Sequence, residues 1–214
     1  MIIELPKKFN YESKAKMEDG VLKILPGAYS HSFMNELTIA IKGKNCWYCG
    51  RKLSNSDITI DHLYPQDLGG PYITNNLAPT CSECNGHKGN LTERQYRNWL
   101  AAPSKQKGEI KKRFLASNMR QKRKKGYYLP REWITTRKID NILVNFIMSE
   151  SYLGKRYKKT ESFYQEFGHL PHPIIVDRNN YLLDGFIQLM FAKNNGITRI
   201  PTIVLDNVEV ILNR

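Results

Sequence analysis

A chain of 214 residues suggests one large domain or two small ones, and its ordinary hydrophobic content makes a packed core feasible. The formal net charge is +13 and the pI about 9.6, which points to an anionic partner, most often nucleic acid. No stretch has the apolar length of a membrane span, and the N-terminal "MIIELPKKFNYESK" is too short and too charged for a secretion signal, so a cytosolic protein is expected.

Residues 1–40 form a mixed N-terminal segment in which only "SFMNELTIAIKG" has a pattern, that of a short helix leading to Gly43. A cysteine-rich block follows, roughly 44–92. Within it "DITIDHLYP" is β-branched and ends at Pro65, which predicts a strand. "DLGGPYITNN" is a loop, with Gly69, Gly70 and Pro71 as breakers. A helix is expected after Cys81. In "TERQYRNWL" Thr92 stands three residues before Gln95, the spacing of a capping box. Tyr96, Trp99 and Leu100 then share a helical face and are expected in the core.

Residues 101–130 shift in composition. "KQKGEIKKRF" and "RQKRKKGYY" are dense in Lys and Arg, with Glu109 the lone acid. This basic linker or helical arm offers Lys111, Lys112, Arg113, Arg120, Lys122, Arg123, Lys124 and Lys125 as phosphate contacts. Tyr127 and Tyr128 suit either base stacking or packing against the next domain. Residues 131–214 then have the pattern of an α+β unit. "IDNILVNF" is a strand or short helix, and "TESFYQEFGHL" a helix ending at Gly168. "PIIVD" and "YLLDG" form a hairpin turning at Asn179–Asn180. "FIQLMFAKNNG" is a helix capped by Gly196, and "RIPTIVLD" a closing strand. The expected division is therefore 1–40, 41–100, 101–130 and 131–214, with an α+β fold.

Cys46, Cys49, Cys81 and Cys84 make two C-x-x-C pairs with no cysteine left over. In a reducing compartment such pairs point to metal ligands rather than disulfides. Structural zinc takes four ligands in a closed tetrahedron, and each C-x-x-C turn supplies half of one. "CWYC" followed by Gly50 has the form of a zinc-knuckle turn. Two pairs specify zinc well and function poorly.

The polar residues inside that frame are more informative. Phosphodiester hydrolysis needs a base for water, a hard divalent cation and ligands for it. His62 is the candidate base, since imidazole titrates near neutral pH. Asp61 and Asn85 carry oxygens suited to Mg²⁺. Asn85 directly follows Cys84, so zinc would fix its position. Lys88 lies three residues on, on the same helical face, as a candidate phosphate contact. His87 falls elsewhere on the helix and is left out. One geometric difficulty remains, because adjacent strand residues point to opposite sides. Asp61 and His62 can share a site only at the strand's end or where the strand twists.

"CWYCG", "ITIDHLYPQDLGG" and "NNLAPTCSECNGHKGN" together resemble the HNH, or ββα-metal, endonuclease family, in its zinc-bearing branch. The resemblance covers residues 44–92 and implies a single-metal nuclease acting on DNA. By position it implies His62 as general base, with Asp61 and Asn85 holding a Mg²⁺ or Mn²⁺ ion that stabilises the leaving 3′ oxygen. Asn76 would orient the loop and the histidine, and Lys88 would approach the phosphate. Many members carry His at the last motif position; this chain has Asn85.

"HPIIVDRNNYLLDGFIQLMFAKNNGITRIPTIVL" is similar to the ParB-like, sulfiredoxin-like domain. After the Asp184–Gly185 step, nucleotide-binding members carry basic residues where this chain has Phe186, Ile187 and Gln188. Sulfiredoxins carry a cysteine there. Nucleotide binding is therefore not expected. A domain for DNA placement, dimerisation or partner binding is. The whole is expected to be a metal-dependent DNA endonuclease suited to a bacterial or phage-infected cell, as part of a phage or mobile element. The competing expectation is a non-catalytic zinc-containing DNA-binding or regulatory protein that keeps the fold as a scaffold.

Overall fold

The computed structural model describes residues 5–125, 129–145 and 150–212. In chain order its elements are β1 (Asn10–Tyr11), β2 (Ala15–Glu18), β3 (Val21–Ile24), α1 (His31–Lys42), β4 (Ile58–His62), β5 (Leu77–Cys81), α2 (Ser82–Lys88), α3 (Glu93–Ala101) and α4 (Lys107–Lys125). Then come β6 (Thr135–Lys138), α5 (Glu150–Phe167), β7 (Ile174–Asp177), β8 (Leu182–Asp184), α6 (Phe186–Asn194), β9 (Arg199–Leu205) and β10 (Val208–Val210). The fold is α+β. Among the described residues, no helix is long and apolar enough to cross a membrane.

Two units form. One is Met1–Phe33 with Pro130–Arg214, the other Met34–Leu129. The division differs from the sequence expectation in two places. The N-terminal residues are no separate segment: β3 pairs in parallel with β10, Leu22 opposite Val208, in a sheet ordered β1-β2-β3-β10. Of the two readings of residues 101–130, the structure has the helix and not the linker: α4 belongs to the second unit and packs on α3. Tyr127 and Tyr128, offered above for stacking, lie outside the described residues.

In the first unit a second sheet runs β6-β9-β7-β8, with β7 and β9 parallel. The β7–β8 hairpin turns where expected, with Asn180 left-handed at φ 67°. Asp177 is buried and holds the turn: Oδ1 accepts from the Asn179 and Tyr181 amides, and Oδ2 from that of Val210 at 2.7 Å. Gly185, at φ 95°, starts α6 so close to β7 that a Cβ would lie 2.8 Å from Ile174 Cγ2. Ile174, Val176, Leu182, Leu189, Phe191 and Ile200 fill the core beneath.

The second unit is built on an antiparallel β4–β5 hairpin followed by α2, a ββα arrangement. Its register sets Asp61 opposite Ala78 and His62 opposite Leu77. The capping box of α3 is present: Gln95 N donates to Thr92 Oγ1, and Thr92 N to Gln95 Oε1. Tyr96 is fully buried and stacked on Trp99, with centroids 5.4 Å apart. Leu100, expected beside them, is 38% exposed, because the buried stripe of α3 is narrower than the apolar pattern suggests.

Candidate active site

Cys46, Cys81 and Cys84 are buried and Cys49 is exposed. Their four sulfurs lie within 4.8 Å of one another. The first pair sits on a turn closed by Gly50 N to Cys46 O (2.9 Å), with Gly50 left-handed at φ 74°. The second pair starts α2, where Cys81 caps the helix and its sulfur accepts from the Cys84 amide. Zinc–sulfur bonds of roughly 2.3 Å in a tetrahedron require sulfurs about 3.8 Å apart. Cys46 and Cys81 are at 3.7 Å, so the cluster fits a zinc ion. The thiols are also electrostatically unequal. Burial alone would raise Cys46, but the backbone amides of Cys49, Cys81 and Tyr48 outweigh it and bring its pKa to about 6. Burial and the neighbouring Cys81 and Cys46 sulfurs push Cys84 up. A cation at the centre relieves that crowding of sulfur charge.

Beside this cluster, at the C-terminal end of β4, an open cavity of about 380 Å³ is lined by Asp61, His62, Asp67, Asn85 and Lys88, with Ile60, Pro65, Gln66, Gly89 and Asn90 completing its wall. The strand's pleat gives each side chain its direction. Thr59 and Asp61 share the face toward α2. Asn85 donates from Nδ2 to Thr59 Oγ1 (3.2 Å), and Thr59 pairs with the Thr80 hydroxyl at 3.0 Å across the hairpin. With its nitrogen so engaged, Asn85 has its amide oxygen left for a cation. His62 turns the other way, edge-on to Tyr72 with centroids 4.9 Å apart, and Tyr72 is itself anchored by its hydroxyl to Asn35 Oδ1 (2.6 Å). Adjacent residues of opposite direction thus reach one cavity because it lies at the strand's end.

Asp61 is 5% exposed and held at both oxygens. Oδ1 accepts from Lys88 Nζ at 2.9 Å, and Oδ2 from the Tyr48 hydroxyl at 2.7 Å. Burial raises its pKa, opposed by Lys88 and Tyr48. Burial lowers that of Lys88, opposed by Asp61. Each carboxylate oxygen keeps a second lone pair. Asp61 and Asn85 therefore fit a hard divalent ion as oxygen donors on one cavity.

Lys88 requires a correction. Expected to face phosphate, it is fully buried, because its ammonium turns inward to Asp61, the His62 carbonyl (2.7 Å) and the Gly89 carbonyl (3.5 Å). It ties the end of α2 to the end of β4 instead. Asn76 is also fully buried. Its Oδ1 accepts from the Tyr64 amide (2.8 Å), and its Nδ2 donates to the Tyr64 and Pro71 carbonyls. It thereby closes the loop that follows His62. Gly70 packs against the same loop: a Cβ there would lie 1.8 Å from Tyr64 O. His87 is outside the cavity lining, tilted over Trp99 at 5.8 Å.

The basic residues of α4 divide by face. Lys111 reaches the His87 carbonyl (2.5 Å), Leu115 packs on the core, Asn118 exchanges hydrogen bonds with Gln95, and Lys122 pairs with Asp67 at 3.1 Å. These four positions face the domain, so Lys111 and Lys122 are inward contacts. Lys112, Arg113, Arg120 and Arg123 are exposed. They span roughly 100° of the opposite face at 3.6 residues per turn. Lys124 and Lys125 lie in the last turn, with side chains outside those described. Tyr48, Thr59 and Asp67 contact Asp61, Asn85 and Lys122 respectively, contacts that the spacing arguments missed. The strand period did offer Thr59, which stands two residues before Asp61.

Residues 46–100 match the family model described as HNH endonuclease, a stretch that holds all four cysteines, Asp61, His62, Asn76 and Asn85. The chain matches no curated protein. Two solved structures of a pNOB8-like ParB N-domain are similar to 33% and 34% of this chain, with 21% and 17% identity and a TM-score of 0.27 each. The similarity spans 28% of either of those chains.

Proposed function

We propose that the second unit is a metal-dependent endonuclease that hydrolyses DNA phosphodiester bonds, either nicking or cutting both strands. The observation that carries this is the convergence of Asp61, His62 and Asn85 on one cavity beside four clustered cysteines, within the HNH-matching stretch. His62 takes the proton of the attacking water. Asp61 and Asn85 hold a Mg²⁺ or Mn²⁺ ion, which when bound offsets charge on the phosphate and the leaving 3′ oxygen. Asn76 keeps the loop beyond His62 in place, and so holds His62 at the cavity. Zinc on Cys46, Cys49, Cys81 and Cys84 is structural. The exposed cations of α4 draw in the DNA backbone. The first unit serves DNA placement, dimerisation or partner docking, in the cytosol of a bacterial or phage-infected cell.

The test is incubation of supercoiled plasmid with the zinc-loaded protein in Mg²⁺, Mn²⁺ or EDTA. Open-circular or linear product with either metal, and none in EDTA, is expected. A gel shift without product under every condition would replace the proposal by the non-catalytic DNA-binding reading.

A further inference from the structure

Tyr48 lies between the two cysteines of the first clip, yet its side chain leaves the zinc cluster and ends on Asp61. The backbone leading into it is fixed. Cys46 N bonds Arg51 O (2.8 Å), and Trp47 N bonds Pro79 O (2.9 Å), joining the clip to β5. The ring is fixed as well. It stands edge-on to the buried Tyr96, with centroids 4.8 Å apart at 87°, and carries the Arg97 guanidinium 5.6 Å from its centre. Its hydroxyl therefore has little choice of position, and it donates to Asp61 Oδ2 at 2.7 Å. The other oxygen is held by Lys88, four residues beyond Cys84 on α2. Both restraints on the carboxylate thus hang from the zinc clips, one from each pair.

Resting on the nuclease reading above, we propose that Tyr48 is a positioning residue that couples the zinc site to the divalent-metal site. The clip sets the Tyr48 ring, the ring sets Asp61 Oδ2, and the orientation of Asp61 sets the affinity for the hard cation. Partners of this kind around a metal ligand typically change metal affinity by about 10–100-fold when lost.

The experiment is Mn²⁺ titration of zinc-loaded full-length protein, followed by electron paramagnetic resonance, for wild type, Tyr48→Phe and Asp61→Ala. Phe keeps the ring packing on Tyr96 and removes only the hydroxyl. Tyr48→Phe is expected to bind Mn²⁺ about 10-fold more weakly with zinc content unchanged, and to lose only the stability of one buried hydrogen bond, a pattern that loss of packing alone would not give. Affinity within two-fold of wild type, or tighter, would overturn the coupling while leaving the nuclease reading standing, provided Asp61→Ala loses Mn²⁺. If Asp61→Ala binds Mn²⁺ as well as wild type, or wild type binds none, both fall together.

Discussion

Replacing Lys88 by Met removes the positive half of a buried ion pair while keeping the length of the side chain. Lys88 is 0% exposed and Asp61 5%. Three contacts go at once: Asp61 Oδ1 at 2.9 Å, the His62 carbonyl at 2.7 Å and the Gly89 carbonyl at 3.5 Å. The larger loss is the stranding of Asp61, whose buried charge then keeps the Tyr48 hydroxyl and the His62 backbone amide but no cation. Breaking such a pair from one side costs about 3–5 kcal/mol. For a unit the size of residues 34–129, that lowers the melting temperature by about 12 °C or more, at roughly 4 °C per kcal/mol. Urea unfolding of zinc-loaded protein, followed by the fluorescence of Trp47 and Trp99, measures the loss. The double variant Lys88→Met/Asp61→Asn removes the stranded charge and should recover at least about 1 kcal/mol over Lys88→Met. A single-variant loss below about 1 kcal/mol, or no recovery in the double variant, would refute this view of the pair.

Three further outcomes follow from the same geometry. Gly70→Ala would place a Cβ 1.8 Å from Tyr64 O and 2.9 Å from Asn76 Nδ2, so the loop must move; urea unfolding should register a loss above about 2 kcal/mol, and plasmid cleavage should fall with it. Stripping zinc with a strong chelator should unfold the hairpin, α2 and α3, since the sulfurs join the first clip to β5 and α2, and Tyr96 of α3 packs on them; an unchanged circular dichroism signal at the helix minimum would show that the metal is dispensable. Replacing Arg113, Arg120 and Arg123 together by Gln should reduce the salt dependence of duplex binding by two to three phosphate contacts, each worth about 0.9 in the slope of log K against log salt. Lys122→Gln, which removes an inward pair with Asp67, should change that slope less.

Local signals were legible where one stretch of chain determines its own geometry. The α3 capping box, each C-x-x-C turn and the β7–β8 turn could be seen in short local stretches. What needed a distant partner could not. The N-terminal strands acquire meaning only from β10, far along the chain, where Leu22 meets Val208. The basic run of α4 has the composition of a solvated arm, and its docking depends on partners elsewhere in the chain: Leu115 packs on the cysteine core, and Asn118 bonds Gln95 and Asn90. Lys88 has the spacing of a surface cation, yet its direction follows from the buried carboxylate across the hairpin. Tyr48 looks like filler between two metal ligands, and only its distance to Asp61 gives it a role.

The most direct test is the single-turnover rate of plasmid cleavage by zinc-loaded protein at saturating Mg²⁺, wild type against His62→Ala. With His62 as the base, the rate should fall by about 100-fold or more while DNA binding and zinc content stay constant. Equal rates would contradict the assignment of His62 and with it the proposed mechanism.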